Sequence, residues 1–255
     1  MMFNLKLKMM KTNVIFLVCM LIAAFSEAQN QPNAFKNELT ENEVIPPRFC
    51  ASNKVIQGDC FETIDEFLLK NVVYPDESRN CGFYGTELIK FRVSQSGEPT
   101  HFDIINSVCK KMDEEVINVL KQTSGMWIPA TVNGQHVAMD VEVSVVFALH
   151  PSTDFVLLAK NYLKRGNQNL FEKNNPKKAL RFYDMGIKLL PNNETLLAAR
   201  GLCKYELGDE NGAIRDWERF KTVAERNHSL TETENLALSF NAMKGYPEMM
   251  KTIKE

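Results

Sequence analysis

The sequence predicts an α+β protein in two parts: a small ββαβ domain with a preceding helix, then an all-α domain of helical repeats. Three observations carry this. Over residues 137–149 every odd position is apolar (Val137, Met139, Val141, Val143, Val145, Phe147, Leu149), the period-two signature of a strand with one buried face. Residues 87–94 alternate in the same way, a second strand follows over 100–107, and the Ser96-Gly97 turn between them makes the two read as a hairpin. Beyond His150-Pro151-Ser152 the spacing turns helical, and Ala179-Leu180 with Tyr183 recurs 34 residues later as Ala213-Ile214 with Trp217.

The chain opens on an export signal. Lys6, Lys8 and Lys11 give a positive start, residues 14–25 are an apolar run, and Ser26-Glu27-Ala28 has the small residues that a signal peptidase reads, so cleavage is expected after Ala28. The run is shorter than the roughly 20 residues a bilayer span needs. Bulky Val18 ahead of Cys19 argues against a lipid-anchored protein. An exported chain can form disulfides. Residues 29–48 are polar, carry Pro32 and Pro46-Pro47, and read as a flexible leader.

The first domain is expected over 49–150. Phe61, Ile64, Phe67, Leu68 and Val72 lie at helical spacing over 60–72, with Asp59 as a plausible cap. Tyr74-Pro75, Gly85 and the hairpin follow. A helix begins near Met112, where Asp113, Glu114 and Glu115 favour its positive N-terminal end. A Trp127-Ile128-Pro129 corner then leads into the long strand. The helical domain is expected over 154–255. It has a first helix from Phe155 with an insertion around 166–175, Gly201 and Gly208 at a tight helix contact and a turn, and capping helices over 231–253 interrupted by Gly245-Tyr246-Pro247.

Composition narrows the function. Net charge is −2 over 255 residues, acids and bases are mixed, and no basic stripe shows along the sequence, which argues against nucleic acid as a partner. The four histidines form no metal-ligand pair at helical spacing, and the nine residues between Cys50 and Cys60 are too many for a zinc knuckle. No glycine-rich phosphate loop precedes a helix. No catalytic residue, metal ligand or cofactor is expected, and the chain is not read as an enzyme.

The order of Tyr74-Pro75, Gly85, the Ser96-Gly97 hairpin, the Asp113-Glu114-Glu115 helix start and Trp127-x-Pro129 resembles the C-terminal domain of the TonB energy-transducer family, over roughly residues 50–149. The resemblance implies a domain that grips a short peptide of an outer-membrane transporter by adding it as a strand. Its expected place is an edge formed by Val141, Val143, Val145 and Phe147, aided by a tract just before Tyr-Pro, here Asn71, Tyr74 and Pro75. Where the family is glutamine-rich this tract reads Asn71-Val72-Val73, a departure. The strand could instead be covered by the repeats or by a second copy, giving a homodimer. Trp127 and Pro129 match the family but read as packing residues.

Related exported modules carry a cysteine pair ahead of Tyr-Pro, so the resemblance also implies a Cys50–Cys60 disulfide. Pairing about the Ser96-Gly97 turn places Cys81 near Cys109 at the open end of the hairpin, where a second bond is expected. Cys203 reads as a buried free thiol. The later segment resembles tetratricopeptide repeats, and by repeat register Ala198, Leu202 and Tyr205 would line an inner groove, unless they contact the preceding helices instead.

The function expected is a periplasmic interaction protein that binds peptide segments of an outer-membrane transporter or another envelope protein. The alternative is an energy transducer held in the inner membrane by an uncleaved N-terminus. Against that reading, about 20 residues precede Cys50 in the mature chain, at most ~70 Å when extended, and they are not rich enough in proline to be stiff.

Overall fold

The computed structural model describes residues 43–51, 62–227 and 240–254. The expected signal, most of the leader, Asp59 and Cys60 lie outside these residues. Glu43 onward groups as one compact unit.

The end of the expected leader is built into the domain. Val44–Ile45 (β1) pairs antiparallel with Ala130–Val132 (β6), and Arg48–Phe49 (β2) pairs with Trp127–Ile128 (β5). Pro46-Pro47, which cannot donate ladder hydrogen bonds, separates β1 from β2. Phe49 is thereby buried against Trp127, with ring centroids 5.2 Å apart.

Ile64–Asn71 (α1) is shorter than the sequence suggests, and its cap is Thr63. Thr63 Oγ1 accepts from the Glu66 N–H at 3.2 Å while Glu66 Oε2 accepts from the Thr63 N–H at 2.9 Å, a complete capping box. A short helix, Asp76–Asn80 (α2), was not foreseen.

Gly85–Val93 (β3) and Pro99–Asn106 (β4) form the predicted hairpin. At its tip Gly97 has φ +81°, and a β-carbon there would strike the Trp127 carbonyl oxygen. Lys110–Lys121 (α3) buries Met112, Val116, Val119 and Leu120, one face at i, i+4, i+7 and i+8.

The long alternating run is two strands rather than one. Gln135–Val137 (β7) turns back on β6 through Asn133-Gly134, both at positive φ (52° and 79°), a type I′-like turn that suits Asn-Gly. Ala138 breaks the run, and Met139–Phe147 (β8) pairs with β3 from Gly85↔Phe147 to Val93↔Met139. The odd positions still face inward as read, but Leu149 lies beyond the strand and is exposed.

The main sheet has the order β4-β3-β8. Its inner face is covered by α3 beneath β3 and β4 and by α1 beneath β8. Phe91, Trp127, Leu68, Val143 and Phe147 belong to that core. Each such side chain stabilises the fold by about 1.5–3 kcal/mol.

The remainder is helical: Phe155–Asn167 (α4), a π-helical turn at Gln168–Glu172 within the expected insertion, Pro176–Leu189 (α5), Glu194–Glu206 (α6), Glu210–Arg226 (α7) and Tyr246–Lys254 (α8). Residues 231–239 of the expected capping helices lie outside the described residues. The 34-residue recurrence is a packing recurrence. A β-carbon on Gly166 of α4 would lie inside the Tyr183 ring of α5, and one on Gly201 of α6 inside the Trp217 indole of α7. In each hairpin a missing side chain on the first helix admits a large aromatic from the second.

Candidate peptide-binding edge

Two strands end the main sheet, β4 and β8, and they are unequal as templates for a further strand. β4 carries both irregularities of the sheet: the register slips between Leu88 and Ile89 and between Lys90 and Arg92, and His101 takes φ 51°. Bulges twist a strand and spoil its outer row of hydrogen bonds. β8 keeps nine consecutive pairs with β3 without a slip, and among the described residues it pairs on that side alone.

The side chains named for this edge are anchors rather than contacts. Val143 and Phe147 are each 3% exposed, and Val141 and Val145 pack half-buried on the same core. What β8 offers outward is its backbone, together with Ser144 and the 60%-exposed Val146 on the opposite face.

The tract before Tyr-Pro is structural as well. Asn71 Nδ2 donates to the Phe67 carbonyl at 2.8 Å and closes the last turn of α1. The Tyr74 hydroxyl donates to the Phe83 carbonyl, while its ring lies edge-on to Phe147 at 5.3 Å and beneath the Arg79 guanidinium. Pro75 caps α2. The Val73 N–H is held by Glu115 Oε1 at 2.9 Å, which gives one member of the acidic triad a specific duty.

Part of the outer face of the sheet is taken by the helical segment. Glu142 of β8 accepts from Arg219 Nη1 and Nη2 at 2.6 and 2.9 Å and from Arg226 Nη2 at 2.8 Å. Burial pushes the Glu142 carboxyl up, but these arginine hydrogen bonds outweigh it and bring it down to about 2. Thr86 Oγ1 donates to the Leu189 carbonyl at 2.7 Å, and Asn106 Nδ2 holds the Thr86 carbonyl at 2.7 Å. Helices thus cover one face of the sheet and part of the other.

An unforeseen buried acid pair lies at the start of β3. Glu87 is fully buried, and its Oε1 accepts from the Val108 N–H at 2.8 Å. Asp113 Oδ2 accepts from the Ser107 hydroxyl at 2.9 Å. Among the described residues no donor reaches the buried Glu87 Oε2 or Asp113 Oδ1. Burial, and then the hydrogen bond with Asp113, push the Glu87 carboxyl up to about 8. The alternation over 87–94 did signal it, because Glu87 shares the inward parity of Ile89, Phe91 and Val93.

The expected Cys81–Cys109 bond does not exist; both are free thiols. Pairing within the hairpin stops at Leu88↔Asn106, and Cys81 sits at the exposed end of α2, so the pairing sum cannot be extended to it. Cys109 caps α3, and its Sγ lies 3.2 Å from Ser78 Oγ instead. Cys203 is a buried free thiol, as read, donating to the Pro176 carbonyl at 3.0 Å; burial pushes it up to about 12. The Cys50–Cys60 pair falls partly on a residue outside those described.

Ala198 and Leu202 are fully buried in the helical core. Tyr205 is half-buried beside Trp217, and Gly245 of the C-terminal segment packs against its ring.

Residues 70–149 match the family model for the Gram-negative bacterial TonB protein C-terminal. The match spans β3, β4, α3 and β8 and stops just ahead of α4. Neither the curated proteins nor the solved structures give a match to the chain. The TonB C-terminal domain therefore contributes the sheet and its β8 margin, and no family model names the helices that grip its outer face.

Proposed function

We propose that the chain is a periplasmic, TonB-like interaction protein that binds a peptide segment as an added strand along β8 and performs no catalysis. The carrying observation is that β8 is regular, nine pairs long and partnered on one side among the described residues, within a domain of TonB C-terminal type. A domain of this family is an envelope-associated interaction domain rather than an enzyme, which supports the same reading. The partner class is a protein or peptide of the envelope, an outer-membrane transporter foremost. A second copy of the chain docking strand to strand is the competing occupant.

Adjacent N–H groups of a strand point to opposite sides. Of Val143→Pro and Ser144→Pro, one therefore breaks the β3 ladder and the other deletes an outward donor alone. Affinity capture from envelope extract, with melting curves as the fold check, distinguishes them. The variant that keeps its fold should lose the partner. Retention of the same partner by that variant would exclude strand addition.

The family match also favours a second reading, a transducer anchored in the inner membrane. No helix among the described residues is long and apolar enough to cross a membrane, and the anchor in this reading is the apolar run over 14–25. Cell fractionation with N-terminal sequencing decides: a cleaved, soluble periplasmic chain supports the interaction protein, and an intact chain in the membrane fraction supports the transducer.

The Cys50–Cys60 bond belongs to the proposal. It is supported by Cys50 not being among the free thiols, and a linked peptide in non-reducing mass spectrometry tests it.

A further inference from the structure

The charge mixture of the sequence does not survive folding. Helix α5 carries Lys177, Lys178, Arg181 and Lys188 against a single acid, Asp184, and that acid turns toward α6 to meet Arg200 Nη1 at 3.4 Å. None of the four bases forms an ion pair with a carboxylate of the described residues. Of the bases on α6 and α7, Arg200, Lys204, Arg219 and Arg226 are paired, whereas Arg215 and Lys221, like Lys160, Lys164 and Arg165 on α4, are in no ion pair among the described residues. In a chain of net charge −2, α5 thus presents a positive stripe that no carboxylate of the described residues pairs with.

The stripe is interleaved with exposed apolar groups. Met185 is 43% and Phe83 41% exposed. Two hollows meet at Met185. One, of about 560 Å³, is walled by Phe182 with Lys177, Lys178 and Arg181 at its rim. The other, of about 170 Å³, is walled by Phe83, Tyr84 and Tyr162 with Lys188 above it. Arg165 lies over the Phe182 ring at 4.5 Å and Lys188 over Phe83 at 5.6 Å, so the aromatic faces are held in place by cations.

We propose that this face binds an acidic peptide segment bearing apolar side chains, at a site separate from the β8 edge. The unpaired bases supply the missing half of an electrostatic match, and the concave hollows take side chains that a flat lipid surface could not insert. The site joins the sheet domain to the helices, because Phe83 and Tyr84 precede β3 while Met185 and Lys188 belong to α5.

The test uses the full chain and a fluorescein-labelled peptide of four Glu-Glu-Phe triplets, read by fluorescence polarisation, with melting curves confirming each variant's fold. Saturable binding is expected. It should weaken about tenfold in Lys178→Gln/Arg181→Gln and also in Met185→Ser, and stay unchanged in Lys110→Gln/Lys111→Gln on α3. Absence of saturable binding, or equal binding by all variants, overturns the proposal. So does a face that ignores the peptide yet holds vesicles of phosphatidylglycerol and phosphatidylcholine in a manner lost with Lys178→Gln/Arg181→Gln. Because these variants leave β8 intact, failure here is distinguishable from failure of strand addition.

Discussion

Replacing Glu87 by Gln should abolish a pH dependence of stability that the native chain carries. The folded carboxyl sits near 8 and the ordinary value is 4.5. The folded state therefore keeps a proton that the unfolded state has already released. Between these two values the unfolded chain binds fewer protons, so stability falls as pH rises, by about 1.4 kcal/mol per pH unit at most. The span of about 3.5 units sets an upper limit of roughly 5 kcal/mol. Relaxation and water entry around a charged pair reduce that, and about 2–3 kcal/mol is expected between pH 5 and pH 8. For a unit of this size that is a drop in Tm of about 5–10 °C. Gln keeps an oxygen for the Val108 N–H and places an N–H where the Glu87 proton points at Asp113, so its profile should be flat over the same window. Thermal unfolding followed by circular dichroism at pH 5, 6, 7, 8 and 9 measures both. Parallel Tm profiles for the native chain and Glu87→Gln would refute the reasoning, and so would a native chain more stable at pH 8 than at pH 5 relative to the variant.

Further outcomes are expected. Gly201→Ala should cost about 1–3 kcal/mol by forcing a methyl group into the Trp217 indole, despite alanine's better helix propensity, and a lower denaturation midpoint with an unchanged slope would show it. Gly97→Ala should destabilise by at least about 1 kcal/mol, since it meets both a positive φ and the Trp127 carbonyl, and chemical denaturation reads this. Glu142→Gln should cost about 2 kcal/mol at pH 7 by leaving Arg219 and Arg226 without their carboxylate. The folded Glu142 lies near 2, below its ordinary 4.5, so its contribution is complete above 4.5 and lost as pH falls toward 2. The gap between native and variant should accordingly close in acid.

Short-range order explains most of what was legible. Period two in β3 and β8, Gly97 at the hairpin tip and the Ala-to-aromatic spacing of the helices are properties of neighbouring residues, and each appears where the residues place it. The Asn133-Gly134 turn was equally local, but the alternation runs on past it from β7 into β8, so two strands read as one. Thr63 with Glu66 is a capping signal of the same kind, passed over for Asp59. Ala198 and Leu202 are different: repeat register alone fits either an inner groove or helix–helix contact, and it is their full burial in the helical core, with Gly245 packed against Tyr205, that only the folded chain shows.

The sequence alone determined the fold class, the order of strands and helices, and which side of each strand faces inward, because these follow from side-chain spacing along a regular backbone. The tertiary structure alone decided which sheet-edge strand keeps a regular register, that Glu142 is spent on holding two arginines, that Glu87 shares its burial with Asp113, and that four bases on α5 find no acid among the described residues. Those properties depend on residues tens of positions apart being brought within a few ångströms. Charge and hydrogen bonding act through space, and only the folded chain fixes those distances.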